Sequence, residues 1–169
     1  MQLLFETFRY KFLYYYGQAV RLQEKYEKSD SILKIGTNIS SDPMFWNVMG
    51  NNSLALGRYR EAEERYKYAF YMVPNRLYPL YLLAKLYHAE GDTVRFLDMA
   101  DKIETFIPKI ESANTELLRS EIREIKAGYI EKNIKKDVKK YQNQVIKIGI
   151  LINMVMLKVK NDGIHIQIK

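Results

Sequence analysis

The sequence predicts a mainly α-helical solenoid of three helix-turn-helix repeats followed by a closing helix. Its central stretch, from Pro43 to Arg76, holds two amphipathic helical patterns separated by Gly57, and glycine enters the left-handed conformation of a helix C-cap without steric cost. Pro74 and Pro108 stand 34 residues apart, which indicates a repeat. Because a helix pair of this kind cannot bury its apolar stripe alone, we expect neighbouring pairs on both sides.

The central repeat, residues 43–76, predicts a large-into-small fit between its two helices. Glycine and alanine remove side-chain volume where two backbones approach, and aromatic side chains fill the space that remains between them. We therefore expect these positions to be buried between the helices. The residues assigned to this contact are Trp46, Met49, Gly50, Tyr59, Ala62, Tyr66 and Ala69.

Residues 10–42 form a degenerate copy of the central repeat, displaced by 33 residues. We expect a first helix from about residue 4 to 24, with Tyr16 and Gly17 in core positions. A second helix should run from about residue 26 to Gly36. A glycine within that helix would weaken it by roughly 1 kcal/mol relative to alanine.

Residues 77–108 form a third copy, with Gly91 at the turn and Pro108 at the end of the second helix. An apolar stripe at helical spacing then predicts a closing helix over about 111–130. A solenoid needs such an element to cover its last apolar face. We therefore assign residues 1–130 to one helical array.

Residues 131–169 form a basic and apolar tail that does not continue the repeat, and two interpretations stay open. Apolar residues at alternating steps of four and three indicate a helix with an apolar seam: Ile134, Val138, Tyr141, Val145, Ile148, Ile152, Val155 and Val159. Alternating isoleucines from Ile146 onward and the turn sequence Asn161-Asp162-Gly163 indicate instead a β-hairpin. We prefer a helix to about Gln142 and a hairpin after Val145, since isoleucine and valine favour strands.

The net charge of +7 belongs almost entirely to this tail. Residues 1–130 hold 18 Lys+Arg against 17 Asp+Glu, whereas residues 131–169 hold 9 against 3. An array with balanced charge lacks the basic surface that phosphate backbones require, so we expect no nucleic-acid partner. The lysines between residues 132 and 140 have two interpretations, a solubilising helix face, which we prefer, or contact with an anionic membrane surface.

Neither catalysis nor a metal site has support in the sequence. Cysteine is absent, and His88 and His165 have no second histidine or carboxylate at metal-ligand spacing. No glycine-rich phosphate loop or nucleophile elbow is present, so we predict a protein without cofactor that is not an enzyme. With no secretory signal and no run of about 18 uncharged apolar residues, we expect a soluble chain without a transmembrane segment.

The spacing of eight residues in the central repeat resembles the tetratricopeptide repeat (TPR): Trp46, Gly50, Gly57, Tyr59, Ala62, Tyr66, Ala69 and Pro74. The resemblance implies that the first helix of each repeat lines a concave groove, in which TPR proteins hold a peptide or a partner helix. The positions that it assigns to ligand contact are Tyr14, Gln18, Arg21, Asn47, Asn51, Tyr78, Tyr81, Lys85 and His88. A solvated helix face without ligand is the alternative interpretation of the same residues.

The segment from Ser40 to Asp92 also resembles the TPR region of bacterial O-antigen ligase/polymerase-like membrane proteins. That resemblance implies a soluble companion region of a membrane-embedded glycosyltransferase, on the cytoplasmic or periplasmic side of a bacterial inner membrane. The glycosyl-transfer chemistry of such proteins resides in their membrane-spanning part, so no catalytic residue is assigned to this chain.

Overall fold

The computed structural model describes the backbone of residues 2–161 and the side chains of residues 8–158. Its helices are α1 (Gln2–Leu22), α2 (Tyr26–Thr37), α3 (Met44–Ala55), α4 (Tyr59–Met72), α5 (Tyr78–Glu90), α6 (Thr93–Thr105) and α7 (Ala113–Asn161). The chain divides into two compact units, Met1–Lys126 and Ala127–Lys169.

The first unit consists of the three helix pairs α1/α2, α3/α4 and α5/α6, followed by the beginning of α7. Each helix from α1 to α5 packs on the next along the chain, and the first helices also contact one another, α1 with α3 and α3 with α5. Gly57 and Gly91 end the first helices of the second and third pairs with φ of 70° and 78°. The predicted solenoid of three repeats is therefore confirmed.

The beginning of α7 closes this array. Ile122 is buried, and two cations of α7 pair with acids of α6: Arg123 with Glu104, at 2.7 Å between Nη2 and Oε1, and Lys126 with Asp101. The predicted closing helix is present, but it does not end near residue 130, since α7 continues to Asn161.

The contact inside the central repeat is the large-into-small fit that the sequence predicts. A Cβ atom placed on Gly50 would lie 2.3 Å from Cε1 of Tyr66, so the Tyr66 ring occupies the space that a larger residue at position 50 would need. Tyr66, Ala62 and Ala69 have no exposed surface. The approach of α3 and α4 therefore depends on a missing side chain.

Two further glycines act in the same way. A Cβ atom on Gly17 would lie 2.6 Å from Leu33, and one on Gly36 would lie 2.1 Å from the ring of Phe45. The second contact joins the first repeat to the central one. Gly36 thus lowers the helical propensity of α2, as predicted, but its missing side chain lets Phe45 pack against the helix backbone.

Two tyrosines that the sequence assigns to core positions lie at the surface. Tyr59 is 37% exposed because it begins α4, one turn before the buried Ala62. Tyr16 is 41% exposed and stacks on Phe12, at 5.8 Å between ring centroids. Successive helical residues point about 100° apart, so with Gly17 facing α2 the side chain of Tyr16 points away from it.

A buried polar network holds the first repeat to the central one. The Asn52 amide donates hydrogen bonds to Asp30 Oδ1 at 2.6 Å and to Ser29 Oγ at 3.0 Å. Arg65 donates to Asp30 Oδ2 at 2.6 Å and to the Met49 carbonyl at 2.7 Å. Because all of these groups lie largely out of water, each depends on the others for its hydrogen bonds.

The preferred interpretation of the tail is wrong for residues 146–161, which continue α7 as one helix. The remainder of the expected hairpin, residues 162–168, lies outside the described residues. In the hairpin, the first strand would have had no sheet to join, and an isolated two-stranded hairpin is marginally stable in water. A helix satisfies its backbone hydrogen bonds internally, so the strand propensity of isoleucine and valine did not decide the structure.

Replacing Gly50 by alanine should lower the free energy of unfolding by about 1–3 kcal/mol, because the new methyl group overlaps the Tyr66 ring. Urea denaturation followed by circular dichroism measures the change. The matched control is Gly128→Ala in α7, where a Cβ atom meets nothing within 4 Å and stability should not fall. Equal stability of the two variants would contradict the packing argument.

Replacing Asp30 by alanine should cost about 2–3 kcal/mol of stability, because it leaves Asn52 and Arg65 without their shared acceptor in a largely buried site. The control is Glu27→Ala on the same helix, which removes a solvent-exposed ion pair with Arg58 and should change stability little. The two melting temperatures measure the difference. A similar small shift for both variants would show that the buried network does not hold the repeats together.

Candidate functional site

The candidate contact residues lie on the layer formed by the first helices α1, α3 and α5, which we call the first-helix face. α1 contributes Tyr14, Gln18 and Arg21, α3 contributes Asn47 and Asn51, and α5 contributes Tyr78, Tyr81, Lys85 and His88. Most of these side chains are half-buried.

Tyr14 and Tyr78 converge although they belong to the first and third repeats. Burial raises the pKa of the Tyr14 hydroxyl, and the neighbouring Tyr78 raises it further, whereas a hydrogen bond with Gln18 opposes the shift. Tyr14 also packs edge-on against Phe45, with ring centroids 5.5 Å apart. Side chains of α1 and α5 therefore come close enough across α3 to influence each other's charge.

The central part of the face surrounds the hydroxyl of the buried Tyr66. This hydroxyl donates a hydrogen bond to Asn51 Oδ1 at 2.7 Å. Burial raises the pKa of Tyr66 well above its usual value and Tyr78 adds to the shift, while the nearby Arg21 opposes it. Nε of Arg21 is buried and has no hydrogen-bond partner. The centre of the face therefore holds a closed pair, Tyr66 and Asn51, near an Arg21 Nε that is enclosed and has no acceptor.

Two of the candidate residues on α5 are bound by the chain itself. Glu121 of α7 accepts a hydrogen bond from the Tyr81 hydroxyl at 2.7 Å and one from Lys85 Nζ at 2.6 Å. The bond from Lys85 lowers the pKa of Glu121 the most, and the bond from Tyr81 lowers it further. Burial and the Glu121 carboxylate together raise the pKa of Tyr81. This end of the face is thus closed by a carboxylate of α7.

The structure corrects the expected exposure of Asn47, which is only 1% exposed. Its amide donates to Met44 Sδ at 3.6 Å, and its Oδ1 atom is buried without a partner. α3 lies between α1 and α5, so its first turns have little free surface. His88, in contrast to Asn47, is exposed. It lies in the last turn of α5, and its ring is near that of Phe96.

The sequence analysis missed two residues that shape this face, Tyr66 and Glu121. Tyr66 was assigned to packing alone, and Glu121 was not assigned to the face. A signal for Glu121 was present, because the repeat frame places the closing helix beside α5 and an acid there would meet Lys85.

A cavity of about 460 Å³ opens beside Tyr78, between the α4–α5 and α6–α7 connections. Its apolar lining comes from Val73, Leu77, Pro108, Ile110 and Leu118, and its polar lining includes Asn75, Arg76, Asn114 and Thr115. A main-chain hydrogen bond from Lys109 to the Asn75 carbonyl joins the two connections at 3.1 Å. The cavity therefore continues the first-helix face at its α5 end.

Among the described side chains, no group of three or more histidines and carboxylates is close enough to hold a metal ion. His165 lies outside the described residues. Over the same part of the chain, none of the helices combines the length and apolar character needed to cross a lipid bilayer.

Several solved structures share this architecture. PcrH in complex with the chaperone binding region of PopD is 16% identical, with a TM-score of 0.59 over 73% of this chain and 92% of that one. The Yersinia enterocolitica type III secretion chaperone SycD, in complex with a peptide of the translocator YopD, is 17% identical, with a TM-score of 0.54 over 69% and 93%. The Sgt2 TPR domain from Aspergillus fumigatus is also 17% identical, with a TM-score of 0.54 over 71% and 81%.

The fold is the TPR-type α-solenoid. At these identities the likeness concerns the fold alone. No protein-family model matches the chain, and no curated protein matches its sequence.

Glu121→Gln should make the chain less stable at pH 7. It should also make the free energy of unfolding depend less on pH in the acid range. Because the folded pKa of Glu121 is lowered, its contribution is present above the ordinary glutamate pKa and is lost as the pH falls through the folded pKa. Denaturation curves at pH 7 and pH 3 measure the free energy of unfolding of wild type and variant. Wild type and variant should differ by at most about 1 kcal/mol at pH 7, since the pair is partly exposed, and should converge at pH 3. An equal difference at both pH values would contradict the assigned ion pair.

Proposed function

We propose that this chain is a non-catalytic protein-interaction scaffold that holds an extended peptide or a partner helix on its first-helix face. The observation that carries the proposal is that Tyr14 and Tyr78, from two repeats that are not adjacent in sequence, lie within electrostatic reach of each other on that face. A surface lined by tyrosines and amides suits a peptide, because the rings give rigid contact area and the amides pair with its backbone.

The Arg21 side chain is half-buried, and a rotation of its guanidinium toward the face would let its unpartnered Nε donate to a polar ligand there. A buried N–H group without a partner costs free energy, and a carbonyl or carboxylate oxygen of a ligand would remove that cost. Gln18 lies one turn away on the same helix and is half-buried. We therefore expect a ligand acceptor group to lie between α1 and Tyr78.

The cavity beside Tyr78 supplies a site for a ligand side chain. Its lining is apolar at Leu77, Pro108 and Leu118, with polar groups of Asn75 and Asn114 at its edge. Binding sites of this kind take a bulky apolar group and orient it through a few polar contacts. A peptide that lies along the face would thus anchor one apolar residue at its α5 end.

The proposal is tested by selecting peptides from a displayed random library on the full chain and measuring their affinity by fluorescence anisotropy. Gln18→Ala, Arg21→Gln and Tyr78→Ala should each weaken the selected peptides at least about tenfold, as expected for contacts near the centre of an interface. Helical content and melting temperature identify variants that have lost their fold.

The control is Tyr71→Ala, which truncates an exposed tyrosine on α4, outside the first-helix face. It should leave peptide affinity unchanged. If no peptide is selected, or if Tyr71→Ala weakens binding as much as the three face variants, the first-helix face is not the binding site.

A second candidate function is an accessory region of a surface-polysaccharide ligase or polymerase system, associated with a membrane-embedded glycosyltransferase. It rests on the sequence likeness of the segment from Ser40 to Asp92. Genomic neighbours distinguish the two candidates, because polysaccharide-assembly genes on both sides favour the second.

A further inference from the structure

The second unit presents a long helix surface that nothing in its own chain covers among the described residues. Every side chain described from residue 131 to 158 is exposed. Seven apolar residues, each 49–68% exposed, form one stripe along α7: Ile134, Val138, Tyr141, Val145, Ile148, Ile152 and Val155. Their spacing alternates strictly between four and three residues, which is the heptad period of a coiled coil. Between residues 145 and 157 the other faces of the helix also hold exposed apolar residues, namely Ile146, Ile150, Leu151, Met154, Met156 and Leu157.

The heptad register follows from this spacing. Val138, Val145 and Ile152 occupy a positions, and Ile134, Tyr141, Ile148 and Val155 occupy d positions. Five of the lysines in this unit, at residues 132, 136, 139, 140 and 147, then fall at b, c and f positions, which face solvent in a coiled coil. The register thus extends over four heptads, from residue 131 to 158.

We propose that the stripe binds a second copy of this chain, as an antiparallel two-helix coiled coil. In the antiparallel arrangement, three kinds of core layer, each present twice by symmetry, pair Val138 with Val155, Tyr141 with Ile152, and Val145 with Ile148 of the other copy. Each layer joins an a residue to a d residue, as antiparallel packing requires, and the bulky Tyr141 meets an aliphatic residue. A parallel pair would instead oppose Tyr141 to its own copy in one layer.

Charge complementarity favours the same arrangement. Beside the layer of Val138 and Val155, the g positions hold Asp137 on one copy and Lys158 on the other, so two symmetry-related ion pairs form. A parallel pair would oppose Asp137 to the uncharged Gln142 and would place Glu131, at an a position, against its own copy. Like charges in one core layer are destabilising, so the parallel alternative is disfavoured.

The e positions next to the dimer axis also fit together. There the antiparallel register brings Gln142 of one copy beside Gly149 of the other. Because Gly149 has no side chain, this position leaves room for the Gln142 side chain of the other copy.

The buried area is adequate for a stable dimer. Residues 134–158 span about 37 Å of helix at the usual rise. Covering their seven large seam side chains, with the flanking e and g residues, removes roughly 800 Å² per copy from water, which is the size of a standard specific interface.

Sedimentation of the full chain between about 10 and 100 μM tests the proposal. Wild type should be a dimer. Val145→Asp, which places a charge in the core, should raise the dissociation constant at least tenfold, and Ile150→Asp, the same change at an f position, should raise it less than twofold. A monomer at all concentrations, or equal effects of both variants, overturns the proposal.

Disulfide trapping tests the direction, since the chain has no cysteine of its own. When Val138→Cys and Val155→Cys chains are mixed and oxidised, disulfides should join one variant to the other. Disulfides within either variant alone would show a parallel pair and overturn the arrangement. Charge reversal adds a check that leaves the core intact: Asp137→Lys should weaken the dimer, and Asp137→Lys combined with Lys158→Asp should restore it.

An anionic bilayer is the competing occupant of this surface. Flotation with phosphatidylserine/phosphatidylcholine vesicles distinguishes the two. If the chain is monomeric in solution and binds these vesicles, with Val145→Asp weakening vesicle binding more than Ile150→Asp does, the stripe is a lipid contact and the dimer proposal fails.

Discussion

The close approach of helices at missing side chains is the constraint on which the array depends. Gly17, Gly36 and Gly50 each face a bulky residue of a neighbouring helix, and a Cβ atom at any of them would lie under 3 Å from that neighbour. Two of these contacts lie within repeats and one lies between repeats, so the same device sets both the pairing of helices and the stacking of pairs.

Polar contacts then decide which helices meet. Dispersion and apolar burial favour compact stacking in general, whereas the buried bonds among Asp30, Asn52 and Arg65 can form only when α2, α3 and α4 meet in one arrangement. Arg95 has the corresponding role one repeat later: it pairs with Glu63 of α4 at 3.1 Å and lies over the Tyr87 ring of α5. Each junction between repeats thus combines an apolar fit with a charged contact.

Sequence periodicity predicted the helix pairs, and the fit of Gly50 to Tyr66, because both depend on residues close together in the chain. It did not predict the burial of Asn47 or the bond between Lys85 and Glu121. Those depend on how α1, α5 and α7 lie around α3 and α5, and this is determined by contacts between residues as many as 40 apart. In residues 146–156 the sequence carries both a helical and a strand pattern. Among the described residues a strand there has no sheet to join, so the helix forms.

The carboxylate of Glu121 has a consequence for any acidic ligand. It already satisfies Lys85 and Tyr81, and the chain holds it there at a high effective concentration, on the order of millimolar for a short tether. A carboxylate of a bound ligand at this end would have to displace this intramolecular competitor. On the proposed function, the closing helix would therefore disfavour weakly binding acidic segments.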